Sequence, residues 1–351
     1  MESRTQRPRI ADVAREAGVS KTAVSFAFNA PDRLSVETTE RIRSVALRLG
    51  YTPHPVARML TQRRTGTIGV LTPQALSVVF RNPFFGAFSA GVARVAEEHG
   101  YALHFISPFR GSLVGAMTRA TVDGVVAVGL GADHPEIEDI RRAGLPLVLV
   151  DSQALPDHGS VEVDDAAGAR EAAAYLAGLG HRDVLVLSVE PPSTGDEHPD
   201  GVTARRLRGY RDGFDPVGVA IGEDDVIEGP ASIEGGAAAL RRAWDAGLRP
   251  TAILAMSDVI AIGAMRALRE LGLDVPGDVS VVGFDDIDLA TYVDPALTTV
   301  HQPIDRKGEE AVRVLVAVIE RPGATNVEHR RLETRLVVRD STGPAPHRAP
   351  A

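Results

Sequence analysis

Cysteine is absent from all 351 residues, so neither a disulfide nor a thiolate metal site is open to this chain, and a reducing compartment fits it. The first thirty residues hold no apolar run, and nowhere is an uninterrupted apolar stretch long enough to span a bilayer. A cytoplasmic protein is therefore expected. Catalytic signatures are missing as well. There is no G-x-x-x-x-G-K-[ST], no H-E-x-x-H and no G-x-S-x-G, and "GLGADH" lacks the full dinucleotide fingerprint. His99, His104, His134, His158, His181 and His198 are scattered without metal-cage spacing. No enzyme activity, metal or cofactor is called for.

What the chain does have is an uneven distribution of charge. Residues 1–64 carry twelve Lys and Arg against six Asp and Glu, a net of +6, whereas the remainder carries 26 against 41, a net of −15. A basic head on an acidic body implies that only the head meets a polyanion. The length suits two or three domains.

In the head, "IADVAREAGVS" sets Ile10, Val13, Ala14 and Ala17 on one helical stripe, and Gly18 supplies the helix end. Ser20 can cap a second helix whose inner face is Val24, Ala27 and Phe28. A third, "VETTERIRSVALRLG", turns Ile42, Val45, Ala46 and Leu49 inward. Three short helices with this turn make a helix-turn-helix. The outer face of the second suits a major groove, with Lys21 and Thr22 reaching base edges and Ser20, Ser25 and Asn29 holding phosphate oxygens. Phe26 can pack on thymine methyls, the competing reading being an aromatic docked on the third helix.

From Thr65 the pattern changes to apolar runs such as "TIGVLTP", "YALHFIS", "DGVVAVG", "PLVLVD", "DVLVLS", "TAILAMSD" and "VSVVGFD", alternating with Ala-rich helices. This predicts parallel sheets covered on both faces, in two similar halves. The segments "ALTTVHQP", "IDRKGEEAVRVLVAVIE" and "RLETRLVVRD" are expected to return the chain to the first half. Ligands bind at the carboxyl ends of such strands, where Asp151, Ser257, Asp258 and Asp285 fall. Asp258 reads more simply as a helix cap, and Asp286 as a turn residue. His181 and Arg182 suit a helix dipole.

The run "IADVAREAGVSKTAVSFAFN" followed by "LSVETTERIRSVALRLGYTPHPVARML" resembles the DNA-binding head of the LacI/GalR family of bacterial transcription regulators, and the body resembles that family's effector domain. The resemblance implies a small all-α helix-turn-helix head (8–52), a hinge helix (53–64) and a two-lobed α/β type I periplasmic-binding-protein-like effector domain (65–340); residues 341–351 fall outside it and are expected to form a disordered tail. It implies a homodimeric repressor that binds near-palindromic double-stranded operator DNA under the control of a small molecule, a sugar or related metabolite. The hinge helix would run from about Val56 to Gln62 with Leu60 wedged into the minor groove beside Ala57, the competing reading being core packing. In the cleft, Asp285 and Arg206 would pair with ligand hydroxyls and Phe84 and Phe85 would cover a ring, although Phe85 also suits the core. A transport receptor on the same body fold would need an export signal and would not carry the basic head. A hydrolase on that fold would need a nucleophile motif.

Overall fold

A computed structural model describes residues 8–52, 64–108, 113, 115–117, 120–190, 201–321 and 327–346. The chain divides into two compact units, Met1–Thr65 and Gly66–Ala351. The expected hinge, with Ala57 and Leu60, lies outside the described residues.

In the first unit, α1 (Ile10–Ala17), α2 (Lys21–Asn29) and α3 (Val36–Leu49) enclose Val13, Ala14, Ala17, Val24, Ala27, Ile42, Val45 and Ala46. Gly18 at φ 67° closes α1, and Val19 N–H donates to the Ala14 carbonyl at 3.0 Å. Ser20 and Ser35 cap α2 and α3 by accepting from Ala23 N (3.1 Å) and Thr38 N (3.2 Å). Phe28 is only half-buried and packs its ring on Tyr51, centroids 6.1 Å apart.

The second unit runs β1 (Thr67–Leu71), α4 (Pro83–Glu98), β2 (Ala102–Ile106), β3 (Gly124–Val128), α5 (Pro135–Arg142), β4 (Leu147–Val150), β5 (Gly159–Val163), α6 (Asp165–Gly178), β6 (Val184–Val189), α7 (Val202–Phe214), β7 (Val226–Gly229), α8 (Ile233–Asp245), β8 (Ala252–Ala255), α9 (Asp258–Glu270), β9 (Ser280–Asp285), β10 (Thr298–His301), α10 (Ile304–Glu320), β11 (His329–Leu332) and β12 (Arg335–Val337), with single helical turns at Leu76–Val79 and Leu289–Tyr292. One sheet has the order β11-β5-β4-β3-β1-β2 and the other β12-β10-β9-β8-β6-β7. Among the described residues, all pairings are parallel except β10 with β12. Because helices cover both faces, β3, β4, β8 and β9 are buried throughout, as their unbroken apolar sequence requires.

Each lobe is assembled from separated stretches of chain. The first takes β1 to β5 and then α10 and β11; the second takes α6 to β10 and then β12. Helices α4 and α10 cross in such close contact that a Cβ on Gly91 would lie 1.9 Å from the Asp305 carbonyl oxygen, and one on Gly308 would lie 2.3 Å from that of Phe88.

Several expectations are corrected here. "RLETRLVVRD" is two strands, one per lobe: β11 pairs with β5, β12 with β10. Strands β5 and β7 are additional to the sequence-predicted runs; "GSVEV" and "VIEG" carry Glu162 and Glu228, which break the apolar pattern, and Arg331 Nε meets Glu162 at 3.0 Å. Residues 341–346 are packed rather than a disordered tail. Ser341 is fully buried, its Oγ donates to the Val281 carbonyl and accepts from Thr298 N, and Ala345 N–H donates to the Leu179 carbonyl. His181, assigned from sequence to a helix end, secures this segment instead: it is buried, with Nε2 3.0 Å from the Gly343 carbonyl and Nδ1 3.0 Å from Thr251 Oγ1. Arg182 does what the helix end asked for, donating to the Ala177 carbonyl.

Candidate functional site

Two groups of residues carry chemistry, one in each unit. On α2, Lys21 and Thr22 in the first turn are exposed, and Ser25, Phe26 and Asn29 are half-buried. Ser20 uses an oxygen lone pair to cap, which leaves its hydroxyl hydrogen available to a phosphate. Asn29 Nδ2 donates to Ser25 Oγ at 3.2 Å, so Ser25 likewise keeps its own donor. Phe26 lies under the Arg33 guanidinium, 5.2 Å from its ring centroid, on the turn Pro31–Arg33. Arg43 on α3 donates to the Ala27 carbonyl (3.2 Å), which braces the end of α2.

In the body, β1 is flanked by β2 and β3, and β6 by β7 and β8, so the strand order reverses in each sheet. A cavity of about 240 Å³ opens at the carboxyl ends of these strands, the crevice such reversals create. Phe84 and Phe85 stand over it from the start of α4, edge to face at 5.4 Å, held by Asn82 Oδ1 accepting from Phe84 N. Both also pack on the first lobe's core, so each ring faces the core as well as the cavity. Asp151, Arg206, Ser257 and Asp285 all line the same cavity. Among the described residues, Asp151 at φ 57° and Asp285 at φ 132° are two of three non-glycine residues in the left-handed region, the third being Asp286 at φ 59°. Such backbone persists only where its surroundings over-determine it.

Asp258 is not the cap that the sequence suggested. Ser257 caps α9 by accepting from Ile260 N, while Asp258 turns inward, accepts from Ile287 N (2.9 Å) and lies 2.5 Å from Thr299 Oγ1. Burial, and then the neighbouring charge of Asp285, push its carboxyl up to about 8. Asp286 is more than a turn residue, since Arg339 and His301 both bond its carboxylate.

Because the folded pKa of Asp258 exceeds its ordinary value of 3.8, the folded state holds this proton more tightly. The associated stability is complete below about pH 4 and is lost as pH rises toward 8. Asp258→Asn, which removes that loss, should melt above wild type at pH 8 by about 1 kcal/mol or more, roughly 2–4 °C, with a gap that closes toward pH 4 in calorimetric scans.

Arg206 sits beneath the cavity. Its Nε donates to Asp165 Oδ1 (2.8 Å), its Cζ lies 3.5 Å from the Phe284 ring centroid, and Nη1 is 3.9 Å from Asp285 Oδ1. Asp165, fully enclosed, also takes two bonds from Arg205. Burial alone would raise its carboxyl, but Arg206, Arg205 and Lys307 outweigh it and hold the group below its ordinary value. Asp285 is pushed up to about 6, burial prevailing over Arg206 and the hydrogen bond from Gln302. Lys307 and Asp165, which the sequence did not single out, thus stand within the same charged cluster as Arg206, Asp151 and Asp285.

The family model for bacterial regulatory proteins of the lacI family matches residues 9–54, and that for a periplasmic binding protein-like domain matches 173–342. An HTH-type transcriptional regulator of Mycobacterium tuberculosis is 36% identical over 97% of this chain and 98% of its own length. The chain belongs to the LacI family. Among other LacI-family relatives, the regulator CelR of Thermobifida fusca is 32% identical over 96% of this chain and 99% of its own length, and the ribose operon repressor of Escherichia coli K12 is 32% identical over 92% and 95%. A solved CelR–cellobiose complex covers 95% of this LacI-family chain and 100% of that one, with a TM-score of 0.71 at 30% identity. A lac repressor dimer bound to operator shares the fold, with a TM-score of 0.78 over 96% of this chain and 100% of that one, at 23% identity.

Proposed function

We propose that this LacI-family chain is an operator-binding repressor that acts as a homodimer and is controlled by a neutral sugar in the interlobe cleft. The observation that carries the reading is the convergence of a pair of aromatic rings with Asp151, Arg206 and Asp285 on one cavity. Rings cover the apolar face of a pyranose or furanose, and buried charged groups reward hydroxyls that complete their hydrogen bonds. Relatives whose names and complexes refer to cellobiose and ribose support the ligand class. In the head, Lys21, Thr22 and Phe26 read bases while Ser20, Ser25 and Asn29 fix the register on phosphates. A two-fold pair of such heads reads the two half-sites.

A thermal-shift screen of mono- and disaccharides and nucleosides on the full-length protein, with operator binding followed by anisotropy, tests this reading. Asp285→Asn should lower the affinity of the sugar that is found by about 1.5–3 kcal/mol, the range for hydrogen bonds to charged groups, while operator binding without sugar persists. Since Asp285 ionises near pH 6, wild-type affinity should also fall as pH drops below about 6 and the acceptor is protonated. Undiminished sugar affinity in Asp285→Asn at both ends of that range would remove Asp285 from the site.

A further inference from the structure

Lys307 is a lysine on the apolar stripe of α10, with no exposed surface, and the cleft reading gives it no role. A buried ammonium must have every proton accepted. Here Nζ donates to Asp151 Oδ1 (2.8 Å), Asp151 Oδ2 (2.9 Å) and Gln302 Oε1 (2.6 Å), so its three donors are used. It also lies 5.3 Å from the centroid of the Phe84 ring. Gln302 in turn donates from Nε2 to Asp285 Oδ1 at 2.6 Å. Its amide orientation is settled by its partners, because the ammonium can only donate and an ionised carboxylate can only accept. Gln302 follows β10, the last long strand of the second lobe's parallel run, and precedes α10, which belongs to the first. Asp151 directly follows β4 in the first lobe and Asp285 ends β9 in the second. A continuous side-chain relay therefore joins the lobes at the bottom of the cleft, running from Asp151 through Lys307 and Gln302 to Asp285 and on toward Arg206.

We propose that Lys307 and Gln302 are positioning residues that latch the two lobes at one relative setting in the absence of ligand, while orienting Asp151 and Asp285 as acceptors toward the cleft. A ligand hydroxyl that engages either acid then acts on a link spanning both lobes, which gives the cleft a route to lobe rotation. The latch itself does not depend on which ligand the cleft takes, although its orienting role rests on the proposed sugar site.

The test uses the absence of cysteine. Spin labels on the double variant Glu98→Cys, Asp245→Cys of the full-length protein, at exposed positions of the first and second lobes, report the interlobe distance with no background label. In this background Gln302→Met cuts both relay bonds yet leaves Lys307 paired with Asp151, so it should fold even if Lys307→Met does not. The expected result for either variant, without ligand, is a broadened distance distribution or a second population where the parent gives one narrow peak. A Gln302→Met distribution that superimposes on the parent's overturns the latch, whatever happens to its melting temperature. Because no sugar is present, that outcome leaves the proposed sugar site standing, and an unsuccessful sugar screen leaves the latch standing.

Discussion

Deleting residues 1–64 should reduce operator affinity by about 10³-fold or more, to the level of non-specific DNA or below, while the remaining chain stays folded and keeps its ligand response. The reasons are electrostatic and structural. The deleted segment holds a net charge of +6, whereas the remainder carries −15 and repels the phosphate backbone. The head encloses its own small core, and the residues buried in the body's cores all come from the body, so neither loses its interior when the other is removed. Anisotropy titrations with an operator selected by the intact protein, at two salt concentrations, measure both the loss and the disappearance of the steep salt slope. Tight operator binding by the headless chain would mean that DNA is held by the body.

Asp165→Ala should cost the body about 3–5 kcal/mol at pH 7, the penalty for leaving a buried charge without its partner. Asp165 is completely buried at the start of α6 and neutralises two guanidiniums, those of Arg205 and Arg206, at 2.8 Å each. Its loss strands Arg206 beside the Met256 carbonyl and the more distant Asp285. The sign of the pH effect follows from the lowered carboxyl: the stabilisation is present above the ordinary value of 3.8 and disappears as pH falls through the folded pKa. Denaturant melts of wild type and Asp165→Ala should thus differ most near neutrality and converge in acid. An equal difference at all pH values would show that α6 loses packing rather than an ion pair. The same geometry makes Arg206→Ala a poor probe of ligand binding, because it breaks this pair as well as the cleft wall.

The parts of the fold that were legible in the sequence are those where one local pattern is sufficient. Gly18 and Ser20 between two apolar stripes give the turn of the head, and β-branched apolar runs such as "VVAV" and "LVLV", alternating with helical patterns, point to central parallel strands. Strand β5 was not legible, since Glu162 breaks the apolar run and its partner Arg331 arrives from β11, far along the chain. The cleft was half legible. A strand ending in Asp, as at Asp151 and Asp285, points to the carboxyl edge of a sheet whatever its neighbours. What those acids touch was not, because Lys307, Gln302 and Asp165 come from other elements, and sequence reading pairs residues only within a helix or hairpin. One signal was available for Lys307: it shares the inward stripe of Ile304, Ala311 and Leu315, where an unpaired charge cannot stay.

The division of each lobe between distant stretches of chain has a consequence during synthesis. As the nascent polypeptide emerges, β1 to β5 follow the head helices, but the edge of β5 stays uncovered and α4 lacks its crossing partner until β11 and α10 have left the ribosome. The lobe that begins first must therefore finish late. The second lobe, nearly contiguous from Asp165 to His301, can close most of its sheet beforehand, so the order of folding runs against the order of translation and the early strands pass through a long interval with an open edge.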